Sequence, residues 1–282
     1  KRSAVVDIAT PAGKETLLKL VRSADLVVES FQPGYLDDLG LGYEALSTAN
    51  PGVVLTSVTP FGQTGPFSAY RGTDLHAAAM GGWMTIQGDP NAPPCMAPAD
   101  QAYVFASVHA ATASMYALAA RETSGRGQHV DVSMQETIAT TFFGIVRYSF
   151  TGEIEYRKGT YSQGGISGIY PAKDGWVCLA PIQPNQWKPL MDWMANPVFE
   201  DPVWVERETR VENSEFIDEM VSQFTMNFTV SDFVEQAQAR RIPCGPVLTP
   251  AQFVDNANFA ARDFMVEVEH PIIGRYRTVG AP

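Results

Sequence analysis

The sequence predicts an α/β protein, with a parallel sheet in a large domain followed by a smaller α+β domain. Short valine-rich runs alternate with helical stretches over the first sixty residues, which is typical of βαβ units and of a parallel sheet covered on both faces. Near Thr151 this alternation gives way to a polar, glycine-bearing segment and then to a hairpin signal. The predicted domains are 1–150 for the large domain, 151–164 for a linker with a glycine loop, 165–250 for the small domain, and 251–282 for a return segment to the large domain.

The first elements follow from hydrophobic periodicity. The predicted strands are 4–8, 25–29 and 53–58, because each is a short apolar run bounded by polar or turn residues. Pro11 opens a helix whose apolar residues fall on one face, and a second, short helix is predicted over 43–49. Right-handed crossovers are expected between the parallel strands.

The middle of the chain predicts one long helix and a further strand and helix. The long helix spans 101–122, is rich in small residues, and stops at the glycine C-cap supplied by the run S-G-R-G that follows it. A strand is predicted over 129–134, where apolar and polar residues alternate, and a helix over 136–150. The small domain is predicted to contain a hairpin over 169–181 and helices over 186–194, 213–225 and 230–240.

Composition limits the classes of partner. The chain has 20 Lys and Arg against 31 Asp and Glu, a formal net charge of −11, and a surface this acidic repels phosphate backbones, so no nucleic-acid partner is predicted. No run of about 18 apolar residues occurs, so no membrane span is predicted. The three cysteines are odd in number and far apart, which favours a cytoplasmic location. Lys1 lies just ahead of a predicted strand, which suggests that an N-terminal segment is missing.

Several familiar catalytic motifs are absent from the sequence. No G-x-G-x-x-G follows a strand and no G-x-x-x-x-G-K-[ST] occurs, which excludes phosphate-binding loops of those kinds. The run that begins at Gly165 resembles a nucleophile elbow, but Ile169 stands where the second glycine belongs, so a serine hydrolase is disfavoured. No metal site is predicted, because four scattered histidines form no H-x-x-x-H pair and suit structural roles: His76, His109, His129 and His270.

Asp100 stands out because it ends a proline-rich loop and begins the long, nearly uncharged helix. As a helix N-cap, its carboxylate would accept hydrogen bonds from the first helical N–H groups. As a catalytic group, the same carboxylate would lie beside backbone donors and the positive end of the helix dipole, which could hold the oxyanion of a reaction intermediate. The two interpretations are compatible, and both stay open at this point.

A series of short motifs runs in a fixed order along nearly the whole chain. They are VESFQPG at 28–34, LGLGY at 39–43, FGQTGP at 61–66, GTD at 72–74, AD at 99–100, TSGRGQ at 123–128, PCGPV at 243–247 and RDF at 262–264. In this order they resemble the family III CoA-transferases, which include the formyl-CoA and carnitine CoA-transferases and have the α-methylacyl-CoA racemases as relatives. Each motif alone is a weak signal, but so many ordered matches make chance improbable.

The resemblance implies that Asp100 is the nucleophile. Its carboxylate would attack an acyl-CoA thioester to give an aspartyl anhydride, the CoA thiolate would return to form an aspartyl-CoA thioester, and an acceptor carboxylate would then collect the CoA. Family members cover the anhydride with a glycine-rich loop, and Gly164 and Gly165 match that loop in place and composition. All three residues are therefore predicted to be catalytic.

The resemblance also implies a CoA-binding site at the ends of the first two predicted strands, the ligand edge of an open α/β sheet. Arg71 is expected to pair with a CoA phosphate or pyrophosphate. One position departs from the pattern, because Asp38 stands where some members carry a phosphate-binding arginine, so that contact cannot be carried over. The predicted residues for CoA or substrate are Ile8, Ala9, Ser30, Phe31, Arg71, Thr73 and Asp74.

One position separates transferase from racemase. The racemases use a histidine in a G-H-D motif, whereas here Thr73 occupies that place and cannot act as the base; His76 lies three residues on, which is not the matching position. An acyl-CoA:carboxylate CoA-transferase is therefore predicted, with an α-methylacyl-CoA racemase or a non-catalytic CoA-thioester-binding protein as alternatives. The resemblance further implies a Rossmann-like large domain, an interlocked homodimer, and CoA thioester as a substrate, without a permanently bound cofactor.

Overall fold

The structure is a computed structural model that describes residues 2–154, 156–157, 159 and 167–281, with only the backbone of Phe143. The chain divides into two compact units, Lys1–Gly159 and Thr160–Pro282. Each unit is described by itself. The domain boundaries expected from the sequence stay a prediction.

The first unit contains a parallel sheet with the strand order β1-β2-β3. Leu26 pairs with Val54 at one end of the sheet, and Thr59 pairs with Ser133 at the other. The predicted parallel arrangement is thereby confirmed for these strands, and their carboxyl ends share one edge of the sheet. The strands are β1 (Leu26–Glu29), β2 (Val54–Thr59) and β3 (His129–Ser133).

Helices surround this sheet. The predicted helices at 11–21 and 43–49 are confirmed, and the predicted long helix ends at Gly125, which adopts the left-handed conformation expected of a C-cap. The helices are α1 (Pro11–Val21), α2 (Tyr35–Asp38), α3 (Tyr43–Ala49), α4 (Asp74–Met80), α5 (Trp83–Ile86), α6 (Gln101–Ser124), α7 (Met134–Thr141) and α8 (Phe143–Thr151).

Helix α6 packs closely because one of its faces carries only small residues. It contacts β2, β3, α4 and α7, and the oxygens of Ser114 and Thr56 hydrogen-bond at 2.7 Å across the contact with β2. The small side chains let the helix backbone approach the sheet, and they are buried at successive turns: Ala102, Ala106, Ala110, Ser114 and Ala117.

The predicted strand at 4–8 is wrong. These residues lack strand structure, Val5 is fully exposed, and no described strand pairs with them. A valine-rich run has high β-propensity, but a strand forms only when it pairs with another strand. A turn follows instead, in which the carbonyl of Asp7 approaches α1 so closely that a Cβ on Gly13 would lie 1.8 Å from its oxygen.

The predicted helix over 136–150 is interrupted at Phe142. This residue has an extended backbone between α7 and α8, and its ring lies against Gly82, where a Cβ would come within 2.8 Å of it. Threonine, phenylalanine and glycine around the break have low helix propensity, so the local sequence does not resist this packing.

The second unit is an α+β arrangement with its own apolar core. Strands β4 (Gly168–Ala172), β5 (Gly175–Leu179) and β6 (Cys244–Pro246) form an antiparallel sheet, and β7 (Met265–His270) pairs with β8 (Gly274–Val279) as a hairpin. The predicted hairpin and the three predicted helices are confirmed. The helices are α9 (Pro184–Met194), α10 (Arg207–Glu212), α11 (Ser214–Thr225), α12 (Val230–Ala239), α13 (Pro250–Val254) and α14 (Ala257–Ala261), with short 3-10 turns at Pro197–Glu200 and Pro202–Val205.

Asp218 on α11 makes the stability of this unit depend on pH. It is 7% exposed and its Oδ1 accepts a hydrogen bond from the Tyr170 hydroxyl at 2.5 Å. Burial raises the pKa of its carboxyl above 3.8, although the bond from Tyr170 acts in the opposite direction. At pH values between the unfolded and the folded pKa of Asp218, the folded protein holds a proton that the unfolded chain has lost. The resulting contribution to the free energy of unfolding falls as the pH rises, and it is lost above the folded pKa.

We therefore expect Asp218→Asn to remove one pH-dependent contribution to the free energy of unfolding, a contribution that falls as the pH rises above the ordinary aspartate pKa of 3.8. The measurement is the denaturant midpoint of each variant at a series of pH values above 3.8. Glu235→Gln, which replaces an exposed acid on α12, is the control and should follow the parent. Parallel curves for the parent and Asp218→Asn would contradict the prediction.

Candidate functional site

The loops after the first two strands meet at the carboxyl edge of the parallel sheet. Glu29, the last residue of β1, accepts a hydrogen bond from the backbone N–H of Phe31 at 2.7 Å and one from the Gln63 side chain at 3.5 Å. The Gln63 backbone N–H donates in turn to Asp131 of β3 at 2.9 Å. These bonds hold the two loops at the edge where ligands of open α/β sheets bind.

Asp100 precedes the first residue of α6 and is exposed. Its φ of +50° and ψ of +47° place it in the left-handed region, directly after Ala99 at φ +63°. Its carboxylate makes no cap bond to the helix and no hydrogen bond to any residue that the structure describes. The N-cap interpretation is therefore wrong for the Asp100 side chain, whose oxygens are left available for chemistry.

Asp74 provides the cap that Asp100 does not. Its Oδ1 accepts hydrogen bonds from the backbone N–H groups of Ala102 at 2.6 Å and Tyr103 at 3.1 Å, the second and third residues of α6. Asp74 begins α4 and is only 4% exposed. The structure thus brings Asp74 and Asp100 to the same helix end. It also shows that two of the backbone donors expected for an oxyanion are occupied.

Thr73 and His76 are bonded to each other at the start of α4. The Nδ1 of His76 lies 3.3 Å from the backbone nitrogen of Thr73 and 3.0 Å from its hydroxyl oxygen. Because the backbone N–H can only donate, Nδ1 acts as the acceptor in the first of these contacts. His76 is therefore engaged in capping its own helix through this nitrogen.

The four residues predicted at the strand ends belong to two different segments of the chain. Ser30 and Phe31 follow β1 directly and are exposed, and the Phe31 ring lies 5.1 Å from that of Tyr35. Ile8 and Ala9 lie in the turn before α1, and no hydrogen bond within the described residues joins them to Ser30 or Phe31. Whether all four meet one ligand remains a prediction.

A cavity of about 150 Å³ opens beside the turn after β1. Gln63 and His129 contribute to its lining, and the Nε2 of His129 lies 2.9 Å from the hydroxyl of Ser57. Its charged lining is acidic, with Glu29, Asp37 and Glu44 on its walls. Those charges would repel CoA phosphates, so we do not assign the phosphate-binding part of a CoA site to this cavity.

The whole chain, residues 1–282, matches the family model described as CoA-transferase family III. The chain belongs to this family. A family III relative is the succinyl-CoA:(R)-benzylsuccinate CoA-transferase subunit BbsE of Thauera aromatica, which is 34% identical over 276 residues, or 94% of this chain and 67% of the relative. The succinyl-CoA–D-citramalate CoA-transferase of Chloroflexus aurantiacus is 31% identical over 98% of this chain and 70% of its own length. The predicted enzyme class, a family III CoA-transferase, is thereby confirmed.

One further relative and two solved structures are similar to this chain. The formyl-CoA:oxalate CoA-transferase of Streptomyces avermitilis is 30% identical over 302 aligned residues, covering all of this chain and 73% of the relative. A CAIB/BAIF family protein from Brucella suis superposes with a TM-score of 0.83 at 25% identity, over 100% of this chain and 78% of that one. Rv3272 from Mycobacterium tuberculosis gives a TM-score of 0.87 at 25% identity, over 100% and 76%.

Arg71 is exposed in this family III chain, and no described acidic residue forms an ion pair with its guanidinium. The predicted contact of Arg71 with a CoA phosphate stays a prediction. Gly164 and Gly165 lie outside the described residues, so their role also stays a prediction.

Within the described ranges no helix is long and apolar enough to cross a membrane, and no three acidic, histidine or cysteine residues form a group suited to a metal ion.

Sequence reasoning missed one residue that shapes the loop leading to Asp100. The Arg157 guanidinium donates to the backbone carbonyls of Asp89 at 3.2 Å and Ala92 at 3.1 Å, and Gly159 donates to Gly88 at 3.1 Å. These bonds hold the start of the proline-rich loop against the segment after α8. No local sequence pattern predicts these hydrogen bonds, because the acceptors are backbone carbonyls that are remote in sequence from Arg157 and Gly159.

Proposed function

We propose that the protein moves CoA from an acyl-CoA thioester to a carboxylate acceptor through covalent intermediates on Asp100. The observation that supports this most directly is the exposed Asp100 carboxylate, which makes no hydrogen bond to the described residues and lies at the position the family resemblance gives to the nucleophile. A carboxylate engaged as a helix cap would be a weaker nucleophile, because its lone pairs would be held by backbone donors.

The proposed reaction conserves atoms and charge at every step. An Asp100 oxygen attacks the thioester carbonyl, the C–S bond breaks, and CoA leaves as a thiolate. The thiolate attacks the aspartyl carbonyl of the anhydride and releases the donor acid as a carboxylate. The acceptor carboxylate then attacks the aspartyl-CoA thioester, whose C–S bond breaks to give a second anhydride and CoA thiolate, and this thiolate attacks the acceptor carbonyl of that anhydride. Acyl-CoA product forms and the Asp100 carboxylate is restored.

The start of α6 supplies the electrostatics for these steps. The backbone N–H of Gln101 precedes the two N–H groups held by Asp74, and it has no hydrogen-bond partner among the described residues. We assign it to the oxyanion that forms on the attacked carbonyl, where the positive end of the helix dipole adds to its effect. Gly164 and Gly165 are proposed to cover the anhydride from water.

The CoA moiety is proposed to lie along the carboxyl edge of the sheet. Ser30 and Phe31 offer an exposed hydroxyl and an exposed ring at this edge, and Arg71 offers a cation that forms no ion pair with the described residues. Ile8 and Ala9 are proposed as further contacts, and Thr73 as a contact with the substrate. Asp74 has 4% of its surface exposed, and its proposed contact with a ligand is confined to that surface.

Intact mass spectrometry after incubation with an acyl-CoA tests the covalent route. A covalent adduct on the peptide that contains Asp100 supports it, whereas tight CoA binding without an adduct would contradict it and leave the non-catalytic and racemase alternatives. The names of the relatives supply the substrates for an activity screen. Succinyl-CoA and formyl-CoA serve as donors, and oxalate, glutarate, D-citramalate and (R)-benzylsuccinate as acceptors.

The racemase alternative requires a different observation. It demands that solvent deuterium enter the α-carbon of a 2-methylacyl-CoA without transfer of CoA to a carboxylate. The residues at hand do not favour it, because Thr73 lacks a basic group and the Nδ1 of His76 is bonded to Thr73. Deuterium incorporation without transfer would overturn the transferase proposal.

We propose that the protein is a homodimer, in keeping with the family resemblance. Helix α6 carries no Asp, Glu, Lys or Arg from its start through Ala120, and it exposes large apolar side chains on the face opposite the sheet. Patches of this kind mark protein interfaces. The exposed residues include Val104, Val108, Met115 and Tyr116, and α8 adds Tyr148 and Phe150.

The three free thiols support the proposed cytoplasmic location.

Light scattering should report a dimer that persists on dilution, and Val108→Asp should shift it to monomers. Val108 is 58% exposed, so the change adds a charge to the apolar face without disturbing the small-residue side of α6. Thr16→Asp, an exposed change on α1, is the control and should stay dimeric. A parent protein that is monomeric at all concentrations would refute the proposed assembly.

A further inference from the structure

Two acidic residues from different helices compete for one set of backbone donors at the start of α6. Asp100 occupies the N-cap position, from which an aspartate ordinarily accepts bonds from the second or third N–H of its helix. In this structure those N–H groups, of Ala102 and Tyr103, both donate to the Asp74 carboxylate. The cap therefore comes from 28 residues earlier in the chain rather than from the adjacent side chain.

The backbone conformation of Asp100 is consistent with a cap supplied by Asp74. N-cap residues normally have extended backbones, which turn the side chain toward the helix, whereas Asp100 has φ +50° and follows another left-handed residue, Ala99. Such conformations are unfavourable for residues other than glycine and persist only where the surroundings hold them. Asp74 is 4% exposed and starts α4, which packs against α6, so the acceptor that fills the cap is fixed on both sides.

We infer that Asp74 is a positioning residue for the transfer reaction: by occupying the cap of α6 it keeps the Asp100 carboxylate out of the helix end and available for attack on the thioester. This inference rests on the proposed function of Asp100. With Asp74 removed, the vacant donors of Ala102 and Tyr103 would attract the carboxylate of Asp100, the residue at the N-cap position of the same helix. The nucleophile would then be displaced and its lone pairs engaged.

Three variants test the kinetic consequence. Asp74→Ala should lower kcat by on the order of a hundredfold, the scale of effect expected when a reacting group is displaced by about 1 Å, while KM for the acyl-CoA changes little. Asp74→Asn keeps an oxygen acceptor of the same reach, so it should recover most of the lost kcat. Thr229→Ala removes a helix cap in the second unit and should leave kcat unchanged. An Asp74→Ala enzyme with the parent kcat would overturn the inference.

Thermal unfolding tests the exchange of caps without reference to activity. In the parent background Asp100→Ala should lower the melting temperature no more than Asp263→Ala, an exposed aspartate with the same left-handed backbone at φ +51°, because the Asp100 side chain caps nothing. In the Asp74→Ala background Asp100→Ala should lower it further, because Asp100 has then become the cap. A larger loss for Asp100→Ala than for Asp263→Ala in the parent background would overturn the inference even if Asp74→Ala failed to fold.

The two sets of measurements separate this inference from the proposed function. If the parent protein forms no adduct on Asp100, the proposed function fails. The melting temperatures would still report which carboxylate caps α6. If the adduct forms and the melting temperatures show no coupling between the two residues, the role of Asp74 fails alone.

Discussion

Replacing Asp100 by asparagine is expected to reduce CoA transfer to background while the protein remains folded. The amide has the same size as the carboxylate but is a far poorer nucleophile, so neither the anhydride nor the aspartyl-CoA thioester can form. Stability should be unchanged, because the side chain makes no hydrogen bond to the described residues and asparagine tolerates the left-handed backbone at φ +50°. Steady-state transfer assays and thermal unfolding of the same preparation measure both effects.

A matched control separates chemistry from backbone conformation. Asp263 is also an exposed aspartate in the left-handed region, with φ +51°, and lies in the second unit. Asp263→Asn should retain full transfer activity and form the covalent adduct at the parent rate. Asp100→Glu keeps the charge but moves the oxygens by about one methylene, so it should lose on the order of a hundredfold in rate. Full activity in Asp100→Asn would place the nucleophile elsewhere.

The largest effect on stability is expected from Arg210→Ala in the second unit. Arg210 is 2% exposed, and its Nη1 donates to the backbone carbonyls of Trp204 at 3.0 Å and Val205 at 2.7 Å. Its guanidinium also lies 5.3 Å from the centre of the Trp187 ring. Removal leaves two carbonyls without this donor and a void beside the ring, which together should lower the free energy of unfolding by about 2 to 4 kcal/mol.

Arg207 supplies the comparison for this loss. It lies on the same helix, α10, and is exposed, so Arg207→Ala should change the free energy of unfolding by about 0.5 kcal/mol or less. Arg210→Lys keeps the charge but loses the planar fork that reaches two carbonyls, and it should lie between the two. Denaturant unfolding followed by tryptophan fluorescence measures all three. Equal midpoints for Arg210→Ala and Arg207→Ala would contradict the assignment.

Local pattern was sufficient for elements whose stabilising contacts lie close in the chain. The helix at 11–21 and the hairpin of β4 and β5 were predictable, because an amphipathic period and a turn sequence specify them without outside partners. Residues 4–8 and Phe142 were not. The first needs a strand to pair with, and the second needs the space that Gly82 leaves for its ring, and neither requirement is visible within a short window.

The candidate site shows the same division. Asp100 could be singled out from its place between a proline-rich loop and an uncharged helix. The sequence could not predict that the Asp100 side chain makes no bond to the helix end. This depends on Asp74, whose two hydrogen bonds to α6 form only when α4 and α6 pack together. Sequence reasoning placed Asp74 with the ligand contacts, since G-T-D reads as a motif and says nothing of its burial.

The pairing of β2 with β3 has a consequence for the order of folding. These strands are neighbours in the sheet although α4, α5 and α6 intervene between them in the chain, so joining them closes a long loop. Loop closure of this length is slow, whereas β4 and β5 meet across a two-residue turn and pair early. Asp100 and the helix it precedes lie inside the slow loop. We therefore expect a newly made chain to bring Asp100 into its final position late, after local structure elsewhere has formed.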